Sequence, residues 1–155
     1  MNIFADSHST FSLDPDAIRT WVHLIAIFVW VGGQITLGLL VPVLRKLGKD
    51  APGQVARRFN RFAWPFFALA VLTGLWSMGS EWSESTNSWK MWLFIKVGVV
   101  ALTGYTAWQH TQAAKVADPD KARTTRAVFG GATLLLSLFA ALLGVGLSAV
   151  GGAGG

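Results

Sequence analysis

The sequence predicts an all-helical integral membrane protein, built as an antiparallel bundle of four transmembrane helices. Of its 155 residues, 52% are hydrophobic and only 14% are charged, whereas soluble domains carry about 25% charged residues. The apolar residues fall into four blocks, and each block is long enough to form the ~20-residue helix that crosses a bilayer. We therefore expect one four-helix membrane domain over 1–155, surrounded by lipid.

The four predicted spans follow one another, separated by short polar loops. The first begins after Asp14 and Pro15, because Asp14 can cap free backbone N–H groups and Pro15 suits the first turn of a helix. The loops contain glycine, proline, serine and charged residues, which interrupt the apolar blocks. The spans lie at about 17–44, 55–78, 89–110 and 127–150.

Basic residues are concentrated beside the first and third loops. Only two, Arg19 and Lys90, lie in the amino-terminal tail and the second loop. Cytoplasmic loops carry the excess of Lys and Arg, so we predict cytoplasmic first and third loops and both termini outside. The same rule explains the net charge of +5 and removes the case for a nucleic-acid partner. The ten basic residues are Arg45, Lys46, Lys49, Arg57, Arg58, Arg61, Lys115, Lys121, Arg123 and Arg126.

Three histidines and no cysteine limit the metal sites that the chain can build. Without cysteine there are no disulfides, thiolate sites or iron–sulfur clusters. His8 lies in the amino-terminal tail, where we expect a free residue. His23 lies ~9 Å into the first span and His110 lies at the far end of the third, so the two should not ligate one metal ion. Taken alone, His110 is interpreted as a solvated helix end.

His23 and Lys96 are the best candidates for a site inside the bilayer, where ionisable groups are costly and often functional. Lys96 lies ~10 Å into the third span, which starts on the same side as the first, so both side chains lie at similar depth. Lys96 also shares one helix face with Thr103, Thr106 and His110. The alternatives are a histidine bonded to the backbone at the interface and a lysine that reaches the surface.

Two further pairs of residues are candidates for binding a cofactor or a metal. Arg58 and Arg61 lie one turn apart and could clamp a carboxylate or a haem propionate, or they could simply set the topology and contact lipid headgroups. Met78 and Met91 lie near the ends of adjacent spans. Together with His23 they could offer soft ligands to copper, or they could pack against lipid.

Other features of the spans exclude some functions. The spans contain no Asp or Glu, which argues against a proton or cation carrier driven by carboxylates. The chain has no phosphate-binding loop and no nucleophile elbow. In the fourth span, Ala140, Gly144 and Ser148 recur every four residues, a spacing that lets helices approach closely in lipid. This pattern predicts packing within the bundle or, alternatively, a homodimer face.

Short motifs in the first three spans occur in a characteristic order. The first span contains WVHLIAIFVWVGG from Trp21 and ends in VPVLR at Arg45. The second contains RFNRF from Arg58 and LTGLW up to Trp76, and the third contains WLFIKV around Lys96. In this order, over roughly residues 17–110, the pattern resembles the membrane domain of the copper-resistance D (CopD) family. It also resembles the related HemJ-type protoporphyrinogen oxidases.

The resemblance implies a protein of the bacterial cytoplasmic membrane. Similarity to the CopD family implies copper that is bound or passed near the outer face, with His23 as a ligand and Met78 or Met91 assisting. Similarity to the HemJ type implies haem b in a porphyrinogen oxidase or an electron carrier, with His23 as the axial ligand. Lys96 would then be a second ligand or a propionate partner. The residues that could hold such a cofactor are His23, Lys96, Arg58, Arg61 and His110.

Two positions depart from the oxidases. Tyr105 is followed by Thr106 where the oxidases carry a histidine, and the first span ends in VPVLR rather than a Tyr-x-Pro-Arg stretch. These departures favour the CopD pattern, so copper handling is our first expectation. A haem b protein is the alternative, and if the chain is an enzyme it would be a haem-dependent oxidoreductase. A third hypothesis is an accessory subunit without a cofactor, packed against a larger membrane complex.

Overall fold

The computed structural model describes residues 13–83, 85–113 and 118–151, and within these ranges the chain contains helices and no strand. Four of these helices are long and apolar enough to cross a membrane. The prediction of an all-helical chain with four long apolar helices is confirmed. His8 and the glycine-rich end at 152–155 lie outside the described residues. The helices are α1 (Pro15–Leu47), α2 (Ala51–Glu81), α3 (Asn87–Gln112) and α4 (Pro119–Gly151).

The helices extend beyond the predicted spans, because hydropathy marks only the apolar part of each helix. α2 begins at Ala51 rather than near 55, and α4 begins at Pro119 rather than near 127. The start of α1 is as predicted, since the Asp14 side chain accepts a 2.7 Å hydrogen bond from the backbone N–H of Ala17. Polar flanks and caps therefore set the helix ends.

A single π-helical turn interrupts α1 near its middle. Such turns hold one extra residue and often lie at functional sites. This one carries Trp30, whose side chain is buried and packs against Phe67 and Trp64, with ring centroids 4.5 and 5.8 Å away. The turn therefore delivers a large aromatic side chain to the middle of the bundle. The three segments of α1 are α-helical Pro15–Ile27, π-helical Phe28–Gly32 and α-helical Gly33–Leu47.

The helices pack as two pairs, α1 with α2 and α3 with α4. Within the second pair, the Thr133 hydroxyl donates a 3.0 Å hydrogen bond to the Thr106 hydroxyl. Contacts between the pairs are fewer, and the Trp30 indole N–H donates to the Ser137 hydroxyl at 3.0 Å across this boundary. Because the pairs touch over a limited area, space is left between them.

Gly33 marks a close approach of α1 to α2. A Cβ atom at Gly33 would overlap the ring of Phe59, so we expect Gly33→Val to lower the free energy of unfolding by about 1–3 kcal/mol. Denaturant titration in detergent micelles measures this change. Gly32→Val is the matched control, because nothing lies within 4 Å of a Cβ atom there. An equal loss in both variants would show that helix propensity, rather than the contact with Phe59, sets the cost.

Candidate functional site

A cavity of ≈ 130 Å³ lies between the two helix pairs. All four helices contribute to its lining, which is apolar apart from five side chains. The two candidates that the sequence places at similar depth therefore line the same cavity. The five side chains are His23 and Trp30 of α1, Lys96 and Thr103 of α3, and Ser137 of α4.

His23 is held in place by α2. Its Nδ1 lies 2.7 Å from the Thr73 hydroxyl oxygen, which itself lies 2.7 Å from the carbonyl oxygen of Leu69. A hydroxyl has one proton to donate, so when Thr73 donates to Leu69 it accepts from Nδ1–H of His23. The geometry favours the tautomer in which Nε2 keeps its lone pair, the form of histidine that ligates metals.

Lys96 enters the cavity from the opposite helix pair. Its Nζ lies against α4, where a Cβ atom at Gly144 would be only 3.1 Å away. Within the part of the chain that the structure describes, Lys96 forms no ion pair and donates no hydrogen bond to a side chain or carbonyl. A polar group in apolar surroundings is costly without a hydrogen-bond partner. A ligand with an acceptor atom would therefore stabilise Lys96.

The two methionines occupy different surroundings. Met78 lines the cavity and packs against a buried cluster of Trp89, Leu93 and Leu147. Met91 is 54% exposed and is not part of the lining. Both methionines lie at a similar depth in the bundle. Only Met78 lies on the face of its helix that lines the same cavity as His23.

Arg58, Arg61 and His110 lie away from the cavity. Arg58 and Arg61 are exposed on α2. His110 is half-buried, with Nδ1 3.0 Å from the backbone carbonyl oxygen of Arg126, and its ring lies against Gly130. His110 is therefore tied to α4 and does not share a site with His23. Among the described residues, no group of three or more His, Asp or Glu could hold a metal ion.

Arg19 is a buried residue that sequence reasoning treated only as a charge. Its guanidinium pairs with Asp16 at 3.0 Å and with Glu81 at 3.8 Å, and it donates a 2.7 Å hydrogen bond to Ser80. These partners tie α1 to α2 one turn from His23. The signal was present in the sequence, because Arg19 lies three residues after Asp16 and four before His23, on the same helix face.

Buried hydroxyls on the other side of the cavity are satisfied within the bundle. Thr103, Thr106 and Ser137 each donate to a backbone carbonyl of the preceding turn of their own helix. Thr106 also accepts from Thr133, and Ser137 accepts from Trp30. These bonds join α3 to α4 and α1 to α4. The groups left for a ligand are therefore Nε2 of His23 and the amine of Lys96.

No protein-family model, curated protein or solved structure matches this chain. The feature of this chain that bears on function is the cavity, where one imidazole, one amine and one thioether line a small apolar space.

Proposed function

We propose that this chain is a membrane protein that binds copper, as Cu(I), between His23 and Met78. The observation that carries the proposal is that the imidazole of His23 and the thioether of Met78 line one cavity. Thioether ligands are soft and select Cu(I), and imidazole is also a copper ligand. The hydrogen bond from His23 Nδ1 to Thr73 supports this role, because it leaves Nε2 free and fixes the orientation of the ring.

The size of the cavity favours an ion over a large cofactor. The cavity measures ≈ 130 Å³, and an apolar cavity of about 150 Å³ holds a single benzene molecule. Haem b is a macrocycle of four pyrrole rings joined by methine bridges and is several times larger than benzene, so it would need a wider separation of the helix pairs. Haem b is the second candidate because His23 and Lys96, two nitrogen donors, enter from facing pairs. When bound, it would supply a one-electron redox centre.

A cation beside copper weakens copper binding, so the placement of Lys96 bears on the proposal. The imidazole of His23 is bonded to Thr73 of α2, whereas Nζ of Lys96 lies against Gly144 of α4. The two groups therefore belong to opposite walls of the cavity. Both side chains still line one cavity, so copper at His23 requires a neutral Lys96 or an ammonium that stays turned towards α4.

We further propose an antiparallel bundle in the bacterial cytoplasmic membrane, with both termini outside. The facing residues of α3 and α4 support the antiparallel arrangement, since Lys96 lies against Gly144 and Thr106 bonds to Thr133. The excess of Lys and Arg in the first and third loops supports the orientation. The end that carries Arg19 would then be outside, and the copper site would lie near the outer face.

Metal analysis and an absorption spectrum separate the candidate functions. The chain is purified anaerobically in detergent from cells supplied with haem, and its spectrum is recorded before and after dithionite. It is then incubated with Cu(I) and desalted, and its copper content is measured. We expect stoichiometric copper and no Soret band. A reduced b-type spectrum would favour the haem alternative. A chain that contains neither metal nor haem and co-purifies with a partner would favour an accessory subunit.

Thr73→Val tests whether the partner of His23 tunes the site. The change removes the hydroxyl that accepts from Nδ1–H, and losses of such partners cost about 10–100-fold in metal affinity. We expect a loss of Cu(I) affinity in this range, measured by competition with a colorimetric Cu(I) chelator. Thr73→Ser keeps the hydroxyl and should retain near-normal affinity. Undiminished affinity in Thr73→Val would show that the Thr73 hydroxyl does not position the ligand.

A further inference from the structure

The cavity reaches the surface of the bundle between α2 and α3. Among the described residues that line it, Leu75 and Val97 alone are exposed, at 48% and 41%. Leu75 lies three residues from Met78, and Val97 lies four residues from Leu93, with which Met78 shares a packed cluster. Leu75 and Val97 are therefore at about the same height, and they form the two sides of a rim.

Contacts between α2 and α3 close the cavity at either end of this rim. Towards Arg19, Met78 packs against the cluster that contains Leu93. Towards His110, the ring of Phe67 lies against Gly104, where a Cβ atom would be 3.2 Å from the ring. On both helices the two contacts are eleven residues apart (67 to 78 and 93 to 104), which is ~16 Å along a helix axis.

This opening, the window between Leu75 and Val97, faces lipid rather than water. Its ~16 Å height is about half of the ~30 Å hydrocarbon core of a bilayer. Both helices are long and apolar enough to cross a membrane, and the two rim residues, Leu75 and Val97, lie within the apolar spans at about 55–78 and 89–110. A molecule that enters through it therefore comes from the bilayer, without passing through either aqueous phase.

The interior of the cavity matches a single ring in size and offers it one hydrogen-bond donor. Its ≈ 130 Å³ is close to the about 150 Å³ that accommodates benzene in an apolar cavity. Most of the lining is aliphatic or aromatic, and Lys96 offers an amine that has no partner among the described residues. A carbonyl oxygen on the ring would accept a hydrogen bond from this amine.

We propose that the window admits a lipophile from the bilayer whose single-ring head carries a carbonyl oxygen, the chemistry of a quinone, and that Lys96 binds this oxygen. The ring fills the space between the helix pairs, and the apolar tail passes between Leu75 and Val97 into lipid. This binding goes beyond copper binding, because it depends on Lys96 and the window rather than on Met78.

Equilibrium binding to the full chain in lipid nanodiscs, without copper, tests the proposal. The probe is a benzoquinone with a decyl tail, and we expect saturable binding. Val97→Trp fills the window and should lower affinity at least about tenfold, and Lys96→Met, which removes a charged donor, should lower it about 10–100-fold. Ile95→Trp is the control, because Ile95 is exposed on α3 but does not line the cavity.

Two further measurements make the result decisive. Decylcyclohexane has the tail and a ring but no oxygen, so it should not show saturable binding that depends on Lys96. The helical circular dichroism and the size-exclusion elution of Val97→Trp and Lys96→Met should match those of the unaltered chain, which shows that these variants fold. Because the quinone titration is carried out without copper, its outcome is independent of the copper proposal. Equal affinity for the quinone in Val97→Trp and Ile95→Trp, or unchanged affinity in Lys96→Met, would overturn the proposal.

Discussion

His23→Ala should abolish copper retention by the purified chain. The substitution removes the imidazole proposed to bind the ion through Nε2, and the loss of affinity should exceed about 100-fold, the upper end of the loss for an outer-shell partner. Met78→Leu keeps nearly the same side-chain volume but removes the sulfur, so we expect this substitution to lower the copper affinity as well. Chelator competition gives the affinity, and metal analysis after desalting gives the retained copper.

Met91→Leu is the matched control for Met78→Leu. Both changes replace a methionine near the same end of the bundle, but Met91 is 54% exposed and lies outside the cavity lining. We expect the copper affinity of Met91→Leu to equal that of the unaltered chain. If Met91→Leu and Met78→Leu lose copper to the same degree, the ion is not held in the cavity between the helix pairs.

Trp30→Ala should cause the largest loss of stability of any single substitution considered for this chain. Trp30 is 6% exposed and packs against Phe67 and Trp64, and truncating a buried aromatic residue to Ala costs about 3–5 kcal/mol. The loss falls at the place where the two helix pairs meet, because Trp30 also bonds to Ser137 across that boundary. Titration with sodium dodecyl sulfate in bicelles measures the free energy of unfolding.

Trp30→Phe separates packing from hydrogen bonding at this position. It keeps a ring against Phe67 but removes the indole N–H, and a hydrogen bond between membrane helices contributes about 0.6 kcal/mol on average. Ser137 still donates to the carbonyl of Thr133, so no hydroxyl is left without a partner. A loss in Trp30→Phe as large as that in Trp30→Ala would contradict packing as the main contribution.

The four helices could be predicted from the sequence because each apolar block is bounded by polar or turn-forming residues. The similar depth of His23 and Lys96 also follows from the sequence, since depth needs only the helical rise and the direction of each span. That their helices bring both side chains to one cavity does not follow from the sequence. The structure places these two side chains, together with Met78, in one lining.

The direction in which a side chain points around its helix axis could not be predicted in the same way. Met78 and Met91 have similar depth, and only packing decides that Met78 faces the cavity while Met91 is exposed. The π turn of α1 has no composition signature, because its geometry depends on how Trp30 packs between the pairs. The burial of Arg19 was missed because its partners Ser80 and Glu81 lie at the far end of another helix.

The π turn of α1 gives the chain a sensitivity to helical winding that its hydropathy does not reveal. Each residue of an α-helix advances the direction of the side chain by about 100°, and a π turn holds one residue more than an α turn. If Phe28–Gly32 wound as a regular α-helix with every residue kept, His23 would turn by about 100° relative to the fixed contact of Gly33 with Phe59. The span would stay as apolar as before, yet the imidazole would point away from Thr73 and the cavity. Deleting one residue from the π turn would also restore an α-helix but would keep this angle, whereas deleting one from the α-helical residues between His23 and Phe28 would change it. The winding of this segment, and not its polarity, sets the direction in which the ligand points.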